Sequence, residues 1–190
     1  MRILKYSLAL VLGITIGILS AQAALRKQLD AAALHNGPWR TLLATGAVDS
    51  NMYERAAIAV GGLLALSKEE TLYYTAAEDS IGQPLQEHCT YHVLGKDPDA
   101  RWWSLTAYAA DHYLPQNTDN ALSIAKTTVE RDENGQFDII VSAIANPKNW
   151  ISSRAAGNYS LTLRLYNPSA EVYKAPQSVE LPVIQRENCQ

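Results

Sequence analysis

From Thr71 onward, the apolar residues of this chain recur at every second position. Successive side chains on a strand point to opposite faces, so a period of two predicts strands with one dry face each. Residues 71–77, 87–94, 101–108, 121–131, 136–144, 159–166 and 177–185 fit the pattern. Turn residues separate them. Asp79, Gly82 and Pro84 fill one gap, Asn134-Gly135 predicts a hairpin between two alternating runs, and Asn167-Pro168 closes another strand. Short strands at this spacing predict a mainly β fold, an antiparallel β-sandwich.

Parity then sorts the side chains. In "RWWSLTAY" the adjacent Trp102 and Trp103 cannot enter the same core. Trp103 shares a face with Leu105 and Ala107, which makes it the packing residue. By the same rule Leu161, Leu163, Leu165, Phe137, Ile139, Val141, Cys89, Tyr91 and Val93 point inward. Trp102 falls outward, on a layer that also holds Tyr108, Arg164, Tyr166, His88 and His92.

The N-terminal third follows other rules. Arg2 and Lys5 precede residues 6–25, which carry no charge. Twenty helical residues span a bilayer core of about 30 Å. Ala21-Gln22-Ala23 also reads as the small-residue end of a cleavable signal. An uncleaved anchor and a cleaved signal both send the remainder out of the cytoplasm; an ordinary buried helix is the third reading. Arg26 and Lys27 place positive charge at the far end too, which weakens an orientation argument from charge alone. The run "RKQLDAAALHNG" continues a helical composition, with Asn36-Gly37 as its stop. A connecting stretch follows. Asp49 or Ser50 can then cap a helix over 51–66, which is apolar on nearly every side apart from Glu54 and Arg55. Such a helix needs burial by more than one partner, and Gly61-Gly62 would admit a close neighbour. The expected organisation is a membrane anchor or signal at 1–25, a helical connecting region at 26–66 and a sandwich domain at 67–190.

Charge and cysteines narrow the partners. Residues 1–25 hold Arg2 and Lys5 and no acid, so leaving them out takes the formal net charge from −3 to −5. A mildly acidic domain without a basic run argues against nucleic acid. Cys89 and Cys189 are the only cysteines. In an exported chain they can form a disulfide closing a loop of about 100 residues; two buried free thiols are the alternative.

The segments "DSIGQPL", "TYHVLG", "RWWSLTAY", "NWI" and "LRLYNP" occur in an order that resembles the bacterial domain-of-unknown-function family numbered 1214, over roughly residues 70–185. "GPWRT" and "MYERAAIAVGGLLALSKEETLYY" resemble its short, stand-alone members, which carry an N-terminal apolar segment; longer relatives join the domain to a partner domain of unknown function numbered 1254. The resemblance implies a jelly-roll-like sandwich, an added N-terminal transmembrane helix and an envelope location. It implies no established activity and so no catalytic residues.

His88, Cys89 and His92 invite a metal, but two histidines four residues apart on a strand lie roughly 13 Å apart, too far to share one ion. No metal and no cofactor is expected. There is no G-x-S-x-G elbow and no phosphate-cradling glycine loop. Asp111 and His112 adjoin, but nothing in the sequence links them to a nucleophile. Asp79, Glu87, Asp97, Asp99 and Asp111 could supply paired carboxylates, yet most fall in predicted turns, where solvated acids belong. What remains is Trp102, Tyr108, Asn149, Trp150, Arg164 and Tyr166. One reading makes them a stacking and hydrogen-bonding surface for a sugar or a lipid head group. The other covers this layer with the apolar helix 51–66. The expected function is that of a membrane-anchored, periplasm-facing accessory or binding module of the bacterial inner membrane, with another envelope protein as an optional partner. A cleaved signal would make it a periplasmic protein. A hydrolase acting on an envelope or imported glycan or lipid is the alternative.

Overall fold

The computed structural model describes residues 2–42, 52–60 and 66–189. Helix α1 runs over Arg2–Ala32 and passes without a loop residue into β1 (Ala33–Asn36). Strand β2 (Trp39–Leu42) pairs back on β1. The Asn36-Gly37 signal is therefore a hairpin turn and not a helix stop. Gly37 takes φ 59° at the first central position. Pro38 follows with its φ fixed negative, a combination that fits a type II′ turn. Helix α2 (Met52–Val60) is the described part of the predicted helix 51–66; the capping residues Asp49 and Ser50, and Gly61-Gly62, lie outside the described residues.

The remaining elements are β3 (Thr71–Ala76), β4 (Cys89–Lys96), β5 (Ala100–Ala109), β6 (Ser123–Ala125), β7 (Gln136–Ser142), β8 (Trp150–Ser152), β9 (Tyr159–Pro168), the short helix α3 (Ala170–Lys174) and β10 (Val183–Cys189). They form two sheets, one ordered β1-β2-β3-β9-β5-β6 and the other β10-β4-β7-β8. All pairings are antiparallel except β7 with β8. The inner faces share one core. Trp103 on β5 meets Phe137 on β7 at 5.2 Å between ring centroids, and Tyr91 on β4 meets Tyr159 on β9 edge-on at 6.2 Å. Each residue assigned inward by parity is buried. The fold is mainly β and sandwich-like, as the alternation predicts, with the N-terminal helix expected from the uncharged run 6–25.

Three local expectations fail for identifiable reasons. Asn134-Gly135 forms a tight turn but no hairpin. Asp132 accepts from the backbone N–H of Asn134 and Gln136, and Gly135 takes φ 73°. The residues just before that turn are committed elsewhere: Val129 is buried, and Arg131 is held by Asp97 and by the carbonyls of Lys126 and Val129. Of the predicted strand 121–131 only β6 forms, and it pairs with β5 in the other sheet. Within 177–185, a 3-10 turn takes up Pro176–Ser178, and Pro182 has no N–H to donate, so the ladder begins at Val183. The third concerns α2, expected to be buried from several sides. Its described side chains, Met52 and Tyr53 among them, are exposed, and the helix lies beside α1. Its neighbour is α1, itself apolar and exposed, and not the core of the sandwich.

Strand β10 carries one irregularity. Arg186 faces Tyr91 and Asn188 faces Thr90, leaving Glu187 as an extra residue in a β-bulge. Alternation resumes beyond it, so Cys189 comes opposite Cys89, and the two form a disulfide.

Candidate functional site

The outer face of the six-stranded sheet gathers four of the six candidate residues. The register builds it in rows. Thr71, Tyr166 and Trp102 stand side by side on β3, β9 and β5; the next row holds Tyr73, Arg164 and Ser104; the next holds Arg40, Thr75, Thr162 and Thr106. The rings of Trp102 and Tyr166 lie 5.1 Å apart and tilted. Arg164 reaches along the sheet. Its Nη2 donates to the Tyr108 hydroxyl at 2.7 Å, its Nη1 donates to Thr106 Oγ1 at 3.3 Å, and the guanidinium sits over the Tyr108 ring. Arg164 thus packs on Tyr108.

This face carries only hydroxyls, aromatic rings and two arginines at the named positions. The small polar groups are nearly dry: Thr71 is 2%, Thr162 5% and Thr106 8% exposed. Thr71 Oγ1 has no hydrogen-bond partner. Trp102, Tyr108, Arg164 and Tyr166 are only partly buried. The arrangement can stack a flat apolar ligand face on Trp102 and Tyr166 and offer a guanidinium beside it. Sequence reasoning passed over the threonine row. Its signal was present, since Thr71, Thr75, Thr106 and Thr162 each fall on the outward parity of their own strand.

Asn149 and Trp150 belong to the other sheet. Asn149, at φ 42°, accepts from Glu130 N and donates to the carbonyls of Glu130 and Asp138. Trp150 Nε1 donates to Ser142 O. Both side chains tie the β7–β8 connection, and Asn149 also lines an open groove with Glu130, Asp138 and Lys148.

Four of the five carboxylates singled out in the sequence have structural partners, and Asp99 takes part through its backbone. Asp79 is buried against Arg186 at 3.2 Å and also accepts from Ile81 N and Gln83 N. Glu87 accepts from Ala155 N and Gly157 N, Asp97 from Trp103 Nε1 and Arg131, and Asp111 from Tyr113 N. Ser169 N donates to the backbone carbonyl of Asp99. His92 sits between two acids, its Nδ1 2.9 Å from Asp138 and its Nε2 3.4 Å from Glu187. Partial burial alone would lower its pKa, but the hydrogen bond and charge of Asp138, then Glu187, turn the net shift upward. Burial raises the Tyr159 hydroxyl far above the phenol range, and that hydroxyl has no partner.

Helix α1 is long and apolar enough, from Lys5 to Ala32, to cross a membrane, and its apolar side chains are exposed. Its end is joined to the sheet by an ion pair between Asp30 and Arg40.

Among curated proteins, none matches this chain. Several solved chains match it. The VPA0106 protein from Vibrio parahaemolyticus matches with a TM-score of 0.61 and 23% identity, over 72% of this chain and 35% of that one. An uncharacterized protein from Burkholderia cenocepacia matches with a TM-score of 0.43 and 18% identity, over 64% of this chain and 30% of that one. The chain therefore spans about a third of the length of these two proteins, and the first likeness bears on the fold alone. Residues 70–170, more than half of the chain, match the family described as "Protein of unknown function (DUF1214)", and the chain belongs to that family.

Proposed function

We propose that this chain is a membrane-anchored, periplasm-facing envelope protein that acts as a binding module, seating a sugar or a lipid head group on the outer face of the six-stranded sheet. The observation that carries this reading is the Trp102–Tyr166 ring pair, partly exposed beside Arg164, on a face without a carboxylate at its central positions. Rings of this kind bind the apolar face of a sugar or the edge of a head group, and a guanidinium supplies planar hydrogen bonds to hydroxyl or phosphate oxygen. The apolar helix α1 supports the anchor, and the disulfide fits an oxidising compartment.

The test has two parts. Cell fractionation should place the full-length chain in the inner membrane; a mature N-terminus at Ala24 would replace the anchor with a cleaved signal. The detergent-solubilised protein should then change its tryptophan fluorescence with envelope glycan fragments or with phospholipid vesicles. Trp102→Ala should weaken that binding by about tenfold, the equivalent of roughly 1.4 kcal/mol. Unchanged binding in Trp102→Ala would remove this face from the reading.

A further inference from the structure

We propose that His88, Cys89 and Cys189 form a redox-gated site for a thiophilic metal cation, closed while the disulfide stands and opened when a dithiol reduces it. The three donors are already together. One ring nitrogen of His88 and the two sulfurs lie within 4.8 Å of one another. His88 precedes the first residue of β4, so strand alternation does not dictate where its ring points. The separation that forbids His88 and His92 from sharing an ion is therefore irrelevant to a site built from His88 and the cysteine pair.

The site survives opening because β10 does not depend on the disulfide for its place. Ile184 is fully buried and its N–H donates to Ser80 Oγ at 2.9 Å. Arg186 pairs with the buried Asp79 and donates to Pro84 O at 2.9 Å. Just upstream, Trp39 Nε1 donates to Pro182 O at 2.7 Å. The ladder from Val183 to Asn188 stands on these contacts. The two thiols of the reduced chain thus remain on facing backbone positions whose Cα atoms are 3.9 Å apart. Two zinc–sulfur bonds of about 2.3 Å in tetrahedral geometry hold sulfurs roughly 3.8 Å apart, a separation that rotation of the Cys189 side chain can reach.

Exposure sets the direction of the exchange. Cys189 and His88 are exposed, whereas Cys89 is buried. A thiolate of the incoming dithiol attacks Cys189 Sγ, forming a mixed disulfide and releasing Cys89 as thiolate. The second thiol of the reagent displaces Cys189, the reagent leaves as its own disulfide, and both cysteines are reduced. Zinc then takes two thiolates and the neutral imidazole, displacing the two thiol protons. The exposed side leaves a fourth position for water, the arrangement of an open site.

The test uses the full-length protein in detergent with Zn(II) as probe, measured by competition with a chromophoric chelator. The reduced wild type should bind one equivalent, and the oxidised protein at least 100-fold more weakly. Reduced His88→Ala should bind at least tenfold more weakly, since even second-sphere changes cost 10–100-fold. Co(II) in the reduced protein should give a thiolate-to-metal absorption band that Cys89→Ser/Cys189→Ser lacks. Equal uptake by reduced His88→Ala, uptake by the double serine variant, no uptake by the reduced wild type, or collapse of the β-sheet circular dichroism on reduction would each overturn the proposal.

Discussion

On the outer face of the six-stranded sheet, Thr71, Thr106 and Thr162 are nearly dry among rings and a guanidinium. On the outer face of the four-stranded sheet, Asp138 has 48% of its side chain exposed, His92 bridges it to Glu187, and Lys148 pairs with Glu130 in solvent. Both faces obey the same alternation. The hydrophobic period decides which side of a strand is core, but the other side is free to differ, because water can satisfy a charge that a covered layer cannot. A face of hydroxyls and aromatic rings is covered at lower cost than one of charges, the cost falling on hydroxyls such as Thr71 Oγ1 that find no hydrogen bond. A face of paired charges loses solvation when covered.

Three substitutions test how far the two faces and the core between them differ. Trp103→Ala should cost about 3–5 kcal/mol in denaturant unfolding, because its ring is fully buried against Phe137 and its Nε1 hydrogen bond to Asp97 is lost, leaving that carboxylate to Arg131 alone. Trp102→Ala, two-sided in its surroundings, should cost about 1–2 kcal/mol, the worth of a partly exposed aromatic pair. Equal losses at the two positions would make the outer layer a second core and erase the distinction. The smallest effect should come from His92→Asn. The His92 pKa is raised in the folded chain, so its contribution is full below about pH 6.5, the unfolded value, and fades as pH rises through the folded value. Wild-type stability should therefore fall across that window by less than about 1 kcal/mol, and the variant should be flat there. A variant that keeps the slope would assign it to another group.

Much of this was readable from residues alone. The inward set on β4, β5, β7 and β9 follows from a period of two, because burial on one face leaves no freedom of register. The hairpin of β1 and β2 was not readable, since four-residue strands are too short to show a period and "HNG" after an alanine run also describes a helix end. Strand β8 is three residues long and joins its sheet in parallel, a pairing that depends on where Ile140 already stands. The candidate site was half legible. Parity brought Trp102, Tyr108, Arg164 and Tyr166 to one side, and β9 beside β5 brought them into one patch. Nothing local in "NPKNWI" says that Asn149 and Trp150 belong to the opposite sheet.

The bulge in β10 has a consequence for changes of chain length. Glu187 is the one residue of that strand without an opposite number on β4. A copy of the chain lacking it could run straight from Arg186 to Asn188, with Asn188 still facing Thr90 and Cys189 still facing Cys89. Removal of Gln185 or Arg186 would also consume the bulge and leave Cys189 opposite Cys89, but it would bring Glu187 into the position from which Arg186 pairs with the buried Asp79. Within this strand, then, a single-codon deletion at 185, 186 or 187 spares the covalent closure, and its cost depends on whether Arg186 keeps its place beside Asp79. The deletion that leaves Arg186 in place is that of Glu187, which supplies the second carboxylate to His92.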